Sequence, residues 1–295
     1  YCDLTGELQW MKRVIGEYQS EAELSGARIV HTCGFDCIPS DMGVYYLQQQ
    51  MQQVHGVSAA QIKLRTKAFA GGFSGGTVYS MMNMMDEADS DPEIVTTLAD
   101  PYALNPPGSH RGEDVNDQTT AIYDEDFTSW TSPFAMAGIN TRVVRRSNAL
   151  MNYAYGEDFR YDEATLSDSS IKARAAALAG NMVMGSMAIT PLRKMAAGLL
   201  PAPGEGPSKT KRENGFYEIW LHGRHPNDRS KDLRAIVKGD MDPGYGSTSK
   251  MLAECAVCLA RDDVEVAGGF WTPASALGNH LLARLQEHAG LSFTL

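Results

Sequence analysis

Positive charge is in short supply in this 295-residue chain: 26 Lys and Arg stand against 36 Asp and Glu, a net charge of −10. Nucleic-acid binding by phosphate neutralisation needs clustered cations, so no nucleic-acid partner is expected. Cysteine is also scarce. The five thiols, Cys2, Cys33, Cys37, Cys255 and Cys258, are odd in number with no secretory segment in view, which favours reduced thiols in a cytoplasmic setting. Cys33-x3-Cys37 and Cys255-x2-Cys258 hold four thiolates between them, enough for zinc. However, Met251, Leu252, Cys255, Cys258 and Leu259 make one apolar helical stripe with no tight turn inside the pair, so no metal is expected. No G-x-G-x-x-G and no Walker loop occurs anywhere, so a dinucleotide phosphate loop is missing. No internal repeat is present either. One uncharged stretch, between Arg174 and Arg193, is 18 residues long. That touches transmembrane length, but it is mostly Ala, Gly and Met and is broken by Pro191. It reads as a buried helix kinked there, with a peripheral membrane contact through residues 181–200 as the other use.

What is there fits a globular protein with a real core, at 43% hydrophobic and 21% charged residues. Residues 1–5 form a short β-like run. Residues 7–26 read as a surface helix, with Leu8, Met11, Ile15 and Tyr18 at helical spacing and Gly26 as its stop. Residues 28–32 are the next strand and 33–39 a loop. Ser40 or Asp41 then caps a helix that lines up Val44, Leu47, Met51 and Val54. This alternation is the grammar of a parallel α/β sheet. Residues 61–70 are a strand leading into Gly71-Gly72-Phe73-Ser74-Gly75-Gly76, which opens a helix with Val78, Met81, Met82 and Met85 on a core stripe. Residues 100–117 read as a long surface excursion and Asp124-Glu125-Asp126 as a solvated loop. The longest helical signal covers residues 169–200, and 201–214 is a flexible loop by composition. Two antiparallel strands follow, 216–223 and 232–238. The tail holds a helix at 248–260 and another that begins with Thr272 as cap and Pro273 at its first position. His55, His110, His222, His225, His280 and His288 fall on loops or helix surfaces and form no ligand set.

Four segments carry chemistry. Asp3, Thr5 and Glu7 would lie at the carboxyl end of a strand, where α/β sheets bind ligands. They could meet a nicotinamide amide or ribose, or simply cap the next helix. In residues 31–43, Gly34 permits close backbone approach, Pro39 stiffens the turn, and a helix start at Ser40–Asp41 would offer free N–H groups. His31 and Cys33, two apart, would face one side of a strand as a base and nucleophile. The glycines within residues 71–76 open a helix but match neither phosphate-loop pattern, so they are not read as a phosphate cradle. In residues 239–250, Tyr245 and Lys250 could donate to a carbonyl or carboxylate.

Residues 1–7, 31–43, 71–80 and 239–250 together resemble the saccharopine dehydrogenase-like oxidoreductases, which include trans-acting enoyl reductase-like members. The resemblance implies an α/β fold: the remnant of a Rossmann-type parallel sheet in 1–56, an α+β substrate and dimerisation domain in 57–238, and a returning tail in 239–295. It implies hydride transfer with NAD or NADP, NADP being the first choice, on a small-molecule or acyl/lipid-linked substrate, in a homodimer. Asp3, Thr5, Gly34, Phe35 and Asp36 would meet the cofactor. Ser74, Gly75, Thr77 and Met81 would line the substrate pocket, and Asp36, Tyr245 and Lys250 would serve catalysis. In that family a dinucleotide-binding half of about 100 residues precedes these segments. The expectation is therefore a chain inactive alone, or else a non-catalytic lipid-binding or scaffold module.

Overall fold

The structure is a computed structural model that describes residues 1–72, 75–112, 116–197 and 204–295. It is an α/β fold. The first half contains α1 (Leu8–Ser25), β1 (Arg28–Val30), α2 (Ile38–His55), β2 (Gln61–Ala70), α3 (Gly75–Ser90), α4 (Pro92–Ala99), β3 (Ile122–Asp124), β4 (Ser129–Pro133) and α5 (Ala137–Leu150). The second half contains β5 (Arg160–Ser167), α6 (Ser170–Met187), α7 (Thr190–Ala197), α8 (Lys209–Glu213), β6 (Phe216–Arg224), β7 (Leu233–Gly239), α9 (Thr248–Arg261), β8 (Gly269–Trp271), α10 (Pro273–Glu287) and β9 (Leu291–Thr294).

Two sheets organise these elements. Seven strands run in the order β3-β4-β5-β2-β6-β7-β9, antiparallel except where β2 meets β5. The second sheet pairs β1 with β8 in parallel. Residues 1–5 do not form a full strand. Cys2 makes an isolated parallel bridge to Val30, and Asp3 and Cys33 continue the pairing through backbone hydrogen bonds. The parallel array is thus Tyr1–Asp3 beside β1 beside β8, open on its Tyr1 side among the described residues.

The main core lies between the large sheet and the helices α2, α9 and α10. Ile62, Leu64, Leu221 and Val237 meet Met42, Leu47 and Met51 of α2 and Leu277, Leu281 and Leu285 of α10. Gly43 lets α2 sit close: a Cβ there would lie 3.2 Å from Val237 and 3.3 Å from Leu221. Several local rules hold. Gly26 ends α1 in the left-handed conformation at φ 75°. Thr272 and Ser275 form a reciprocal capping box with Pro273 in the first turn of α10. Met251, Cys255 and Cys258 are fully buried on one face of α9.

Other expectations are corrected. The helix expected to begin at Ser40 or Asp41 begins at Ile38. Pro39, which lacks an N–H, fits a first turn without loss, and the Ser40 and Asp41 amides both bond to Cys37 O, so no free donors remain for an anion. The long 169–200 signal divides into α6 and α7 at Ala188–Ile189, before Pro191, and its exposed face is not that of a buried helix; residues 198–200 lie outside the description. Residues 105–112 run over the surface as expected, but the excursion is pinned at its start, where Ala103 and Leu104 join a second core cluster with Leu8, Met11, Ile139 and Val143.

The acidic run is no solvated loop either. Asp124 and Asp126 are buried, and Lys63 bridges them at 3.0 and 2.7 Å. Arg65 reaches Asp124 at 2.6 Å, Arg224 reaches Asp126 at 2.7 Å, and Arg229 also bonds to Asp126. Burial alone would raise the Asp126 carboxyl, but the hydrogen bonds from Lys63, Arg224 and Arg229 outweigh it and hold it well below the usual carboxylate range. His222 belongs to this network, buried on β6 and 3.0 Å from Asp232, rather than to a surface.

Candidate functional site

The site is built where the parallel array ends. Beyond β1 the chain turns at Thr32, whose φ is 60°, so Cys33 does not share a strand face with His31. His31 is buried, and its Nδ1 lies 2.7 Å from Asp3 Oδ2. Asp3 also accepts the Thr5 amide at 3.1 Å, and Thr5 Oγ1 accepts the Glu7 amide at 3.2 Å just ahead of α1. Burial would raise the Asp3 carboxyl, but the hydrogen bond and charge of His31 prevail and lower it. The imidazole is packed edge-on against Trp10 (5.3 Å between centroids) and tilted against Phe270 (5.5 Å). Its second nitrogen, Nε2, is buried and has no hydrogen-bond partner among the described residues. An orphaned buried nitrogen in a clamped imidazole is a costly arrangement unless something binds it.

The next turn is fixed from the far end of the chain. Gly34 O accepts the amides of Cys37 and Ile38 to start α2. The Phe35 amide donates to Thr248 Oγ1 at 2.9 Å, and Thr248 Oγ1 donates to Pro243 O at 2.7 Å. The Phe35 ring stands edge-on to Tyr217 at 4.8 Å. The close approach that Gly34 permits is to protein: a Cβ there would lie 2.7 Å from Leu4 and 3.0 Å from Thr248. Asp36 sits beside it, its carboxyl pushed up to about 6 by burial and the nearby Asp3 charge, against bonding to its own backbone.

Residues 243–247 form a π-helical turn into α9, and Asp242, fully buried, accepts the amides of Gly244, Tyr245 and Gly246. Pro243 packs over Gly71, where a Cβ would come within 2.6 Å, and Gly244 packs over Gly72 O. Glu205 O then receives both the Tyr245 hydroxyl (3.2 Å) and the Gly75 amide (3.0 Å). A continuous chain of contacts therefore runs from Asp3 through Gly34, Phe35 and Thr248 to Tyr245 and Gly75. Seven of the residues picked from sequence (Asp3, Thr5, Gly34, Phe35, Asp36, Gly75 and Tyr245) lie along it or adjoin it. Thr77 and Met81 follow Gly75 on α3, half-buried, while Ser74 lies outside the described residues. Lys250 stands apart, in an ion pair with Asp240 at 3.5 Å.

Cys33 is no nucleophile. Burial pushes its thiol well above the ordinary value, and its Sγ bonds to Val30 O. The pairing of His31 with Asp3 is the feature that the sequence reading missed; two residues 28 apart gave no spacing to find it by. A groove of about 340 Å³ runs between α1 and β1, with Tyr1, Trp10, Val14, Tyr18, Ile29, and Phe270 in its wall and His31 at the carboxyl end of β1. Among the described residues no group of His, Cys, Asp and Glu could hold a metal ion, and no helix is long and apolar enough to cross a membrane.

A parallel strand array that presents an Asp–His pair at its carboxyl edge, backed by a sheet-and-helix layer, places this protein in the α/β class with a ligand end where such sheets put it. No protein-family profile matches the chain. Curated relatives do. A Mycobacterium tuberculosis protein provisionally named as a trans-acting enoyl reductase is 38% identical over 314 residues, covering 99% of this chain and 73% of that protein. The trans-acting enoyl reductase of Mycobacterium ulcerans is 34% identical, covering 97% and 72%, and that of Mycobacterium bovis is 35% identical, covering 97% and 71%. The chain belongs to the trans-acting enoyl reductase family.

Proposed function

We propose that this chain is the greater part of a saccharopine dehydrogenase-like enoyl reductase that reduces an α,β-unsaturated acyl group, lipid-linked, at the expense of a nicotinamide cofactor. The observation that carries the reading is 38% identity, across 99% of the chain, to a relative named for that activity. The local chemistry supports it. The nicotinamide, when bound, supplies the hydride that saturates the double bond. Asp3, Thr5 and Asp36 are the residues that would hold its amide and ribose, and the unpartnered His31 Nε2 gives that end a waiting hydrogen-bonding group. Asp36, raised to about 6, carries a proton over part of the neutral range and can deliver it to the carbon next to the carbonyl. Asp3 accepts from Nδ1–H and holds His31 in one orientation, which leaves Nε2 of the neutral ring as an acceptor for a donor on the bound cofactor, such as the nicotinamide amide or a ribose hydroxyl. Gly75, Thr77 and Met81 on α3 wall the acyl side, and Tyr245 fixes that wall through Glu205.

The pyrophosphate grip is assigned to residues upstream of Tyr1. Among the described residues the Tyr1–Asp3 edge has no strand beside it, and Tyr1, Leu4 and Tyr18 are exposed along it at 68%, 39% and 48%. On this reading residues 1–56 complete a dinucleotide-binding sheet, 57–238 form the substrate domain and 239–295 return to the first part. The test is a fluorescence titration with NADPH on the protein expressed from its complete open reading frame, together with NADPH oxidation in the presence of an unsaturated acyl thioester. Saturable binding and turnover are expected. An intact, folded protein that binds neither NADPH nor NADH sinks the enzyme and leaves a non-catalytic module.

A further inference from the structure

We infer that Thr32 is a positioning residue, whose strained left-handed bulge aims the His31 imidazole at Asp3; on the reductase reading above, His31 is a group that meets the cofactor. Backbone pairing reveals the bulge. Val30 donates to Tyr1 O at 2.9 Å and Asp3 donates to Val30 O at 3.3 Å, so Cys2 stands opposite Val30 in regular parallel register. The next bond of a regular parallel ladder would run from the Thr32 amide to Asp3 O. The Cys33 amide makes it instead, at 2.7 Å. Thr32 is thus one extra residue in the strand. Bulges of this kind sit next to functional sites, where they re-aim a side chain.

The residue type at the bulge is unusual. A left-handed position ordinarily takes glycine, because a β-branched side chain there crowds its own backbone. Among the described residues four non-glycines have positive φ: Thr32, Thr128, Asn152 and Tyr153. Of these Thr32 alone is buried, at 1% exposure, and it alone adjoins the candidate site. Its hydroxyl donates to His31 O at 2.7 Å, and Thr128 makes the same bond to Phe127 O at 2.8 Å. That bond makes a threonine tolerable in this conformation and also fixes the peptide that follows His31. The peptide before His31 is fixed by the Asp3–Val30 bond. With both peptides held, the imidazole leaves the chain toward Asp3 Oδ2 at 2.7 Å and lies between Trp10 and Phe270. A glycine at 32 would relieve the strain and release the following peptide. Strain of this kind persists where the surrounding structure makes use of the placement.

The experiment compares Thr32→Gly, Thr32→Ser and, as a control, Thr128→Gly. Thermal unfolding and the His31 Nδ1–H proton resonance are read on the unliganded full chain, the resonance being assigned by its loss in His31→Gln. NADPH-dependent turnover is read on the protein from its complete open reading frame. Thr32→Gly should melt within about 4 °C of the parent, because relief of strain offsets the lost packing and the glycine's extra freedom when unfolded. It should still broaden the resonance and lower turnover by about tenfold or more. Thr32→Ser keeps the hydroxyl and should restore both. Thr128→Gly changes the same conformation on an exposed turn and should move neither. A Thr32→Gly variant that keeps a sharp resonance and full turnover, or that melts lower than that window, overturns the assignment. So does a Thr32→Ser variant that loses both readouts. If the parent turns over no substrate, the reductase reading falls, while the resonance still decides whether Thr32 places His31.

Discussion

The large sheet and the small parallel array divide the work of this molecule. The large sheet is well tied: its core side is filled by α2, α9 and α10, and its Lys63, Arg65 and Arg224 are paired with Asp124, Asp126 and Asp162. The parallel array is short, open along Tyr1–Asp3 among the described residues, and contains a buried imidazole, His31, clamped by Asp3. The difference teaches that rigidity here comes from the large sheet, so substitutions in its interior and at the open edge should separate stability from activity.

The two largest losses of stability belong to the large sheet. Asp126→Asn removes a buried carboxylate shared by Lys63, Arg224 and Arg229; Lys63 keeps Asp124 and Arg229 keeps Asp232, so the cost should be about 1.5–3 kcal/mol by chemical denaturation. Leu221→Ala, at a fully buried position of β6, should cost about 2–5 kcal/mol in the same assay. If either were nearly silent, the large sheet would not be the stabilising half.

A pH titration of thermal unfolding comes next. Burial pushes Asp41 and Glu163 up to about 7 despite their hydrogen bonds to Ser147 and Ala274, and to Tyr161 and Asn140. Their folded values exceed the ordinary ones, so the native state keeps protons that the unfolded chain would release. Their contribution is full at acid pH and drains away as pH rises from about 4 through about 7. Glu163→Gln should flatten that slope, and an unchanged slope would remove Glu163 from the account. The smallest effect on stability, within about 1 kcal/mol, belongs to Asp3→Asn on the open edge. Yet it should abolish most NADPH-dependent turnover in the complete protein, whereas a variant with full activity would detach the Asp–His pair from the chemistry.

Sequence was legible wherever the cause of structure was local. Gly26, the Thr272–Pro273 start of α10, the β2 run and the α9 stripe of Met251, Cys255 and Cys258 depend on neighbours within a few turns, and each was read correctly. The residues of the candidate site were legible mostly through family resemblance, since nothing in Phe35 alone points to Thr248, 213 residues away, or in Tyr245 to Glu205, 40 residues away. What escaped was long-range. Asp126 looks like a solvated acid until β2 and β6 bring Lys63 and Arg224 to it. His222 looked exposed for the same reason, and His31 met Asp3 only through strand pairing. The start of α2 was misplaced because Ser40 resembles a cap, although Pro39 is an equally good first-turn residue.

The turn into α9 has a further consequence. Three successive amides at a helix entrance ordinarily invite a phosphate, but here Asp242 has already taken the amides of Gly244, Tyr245 and Gly246. That doorway is locked from inside by an oxygen acceptor of the same kind, so a pyrophosphate arriving there would find no vacant donor, and only the less polar parts of a visiting molecule have reason to settle against Tyr245.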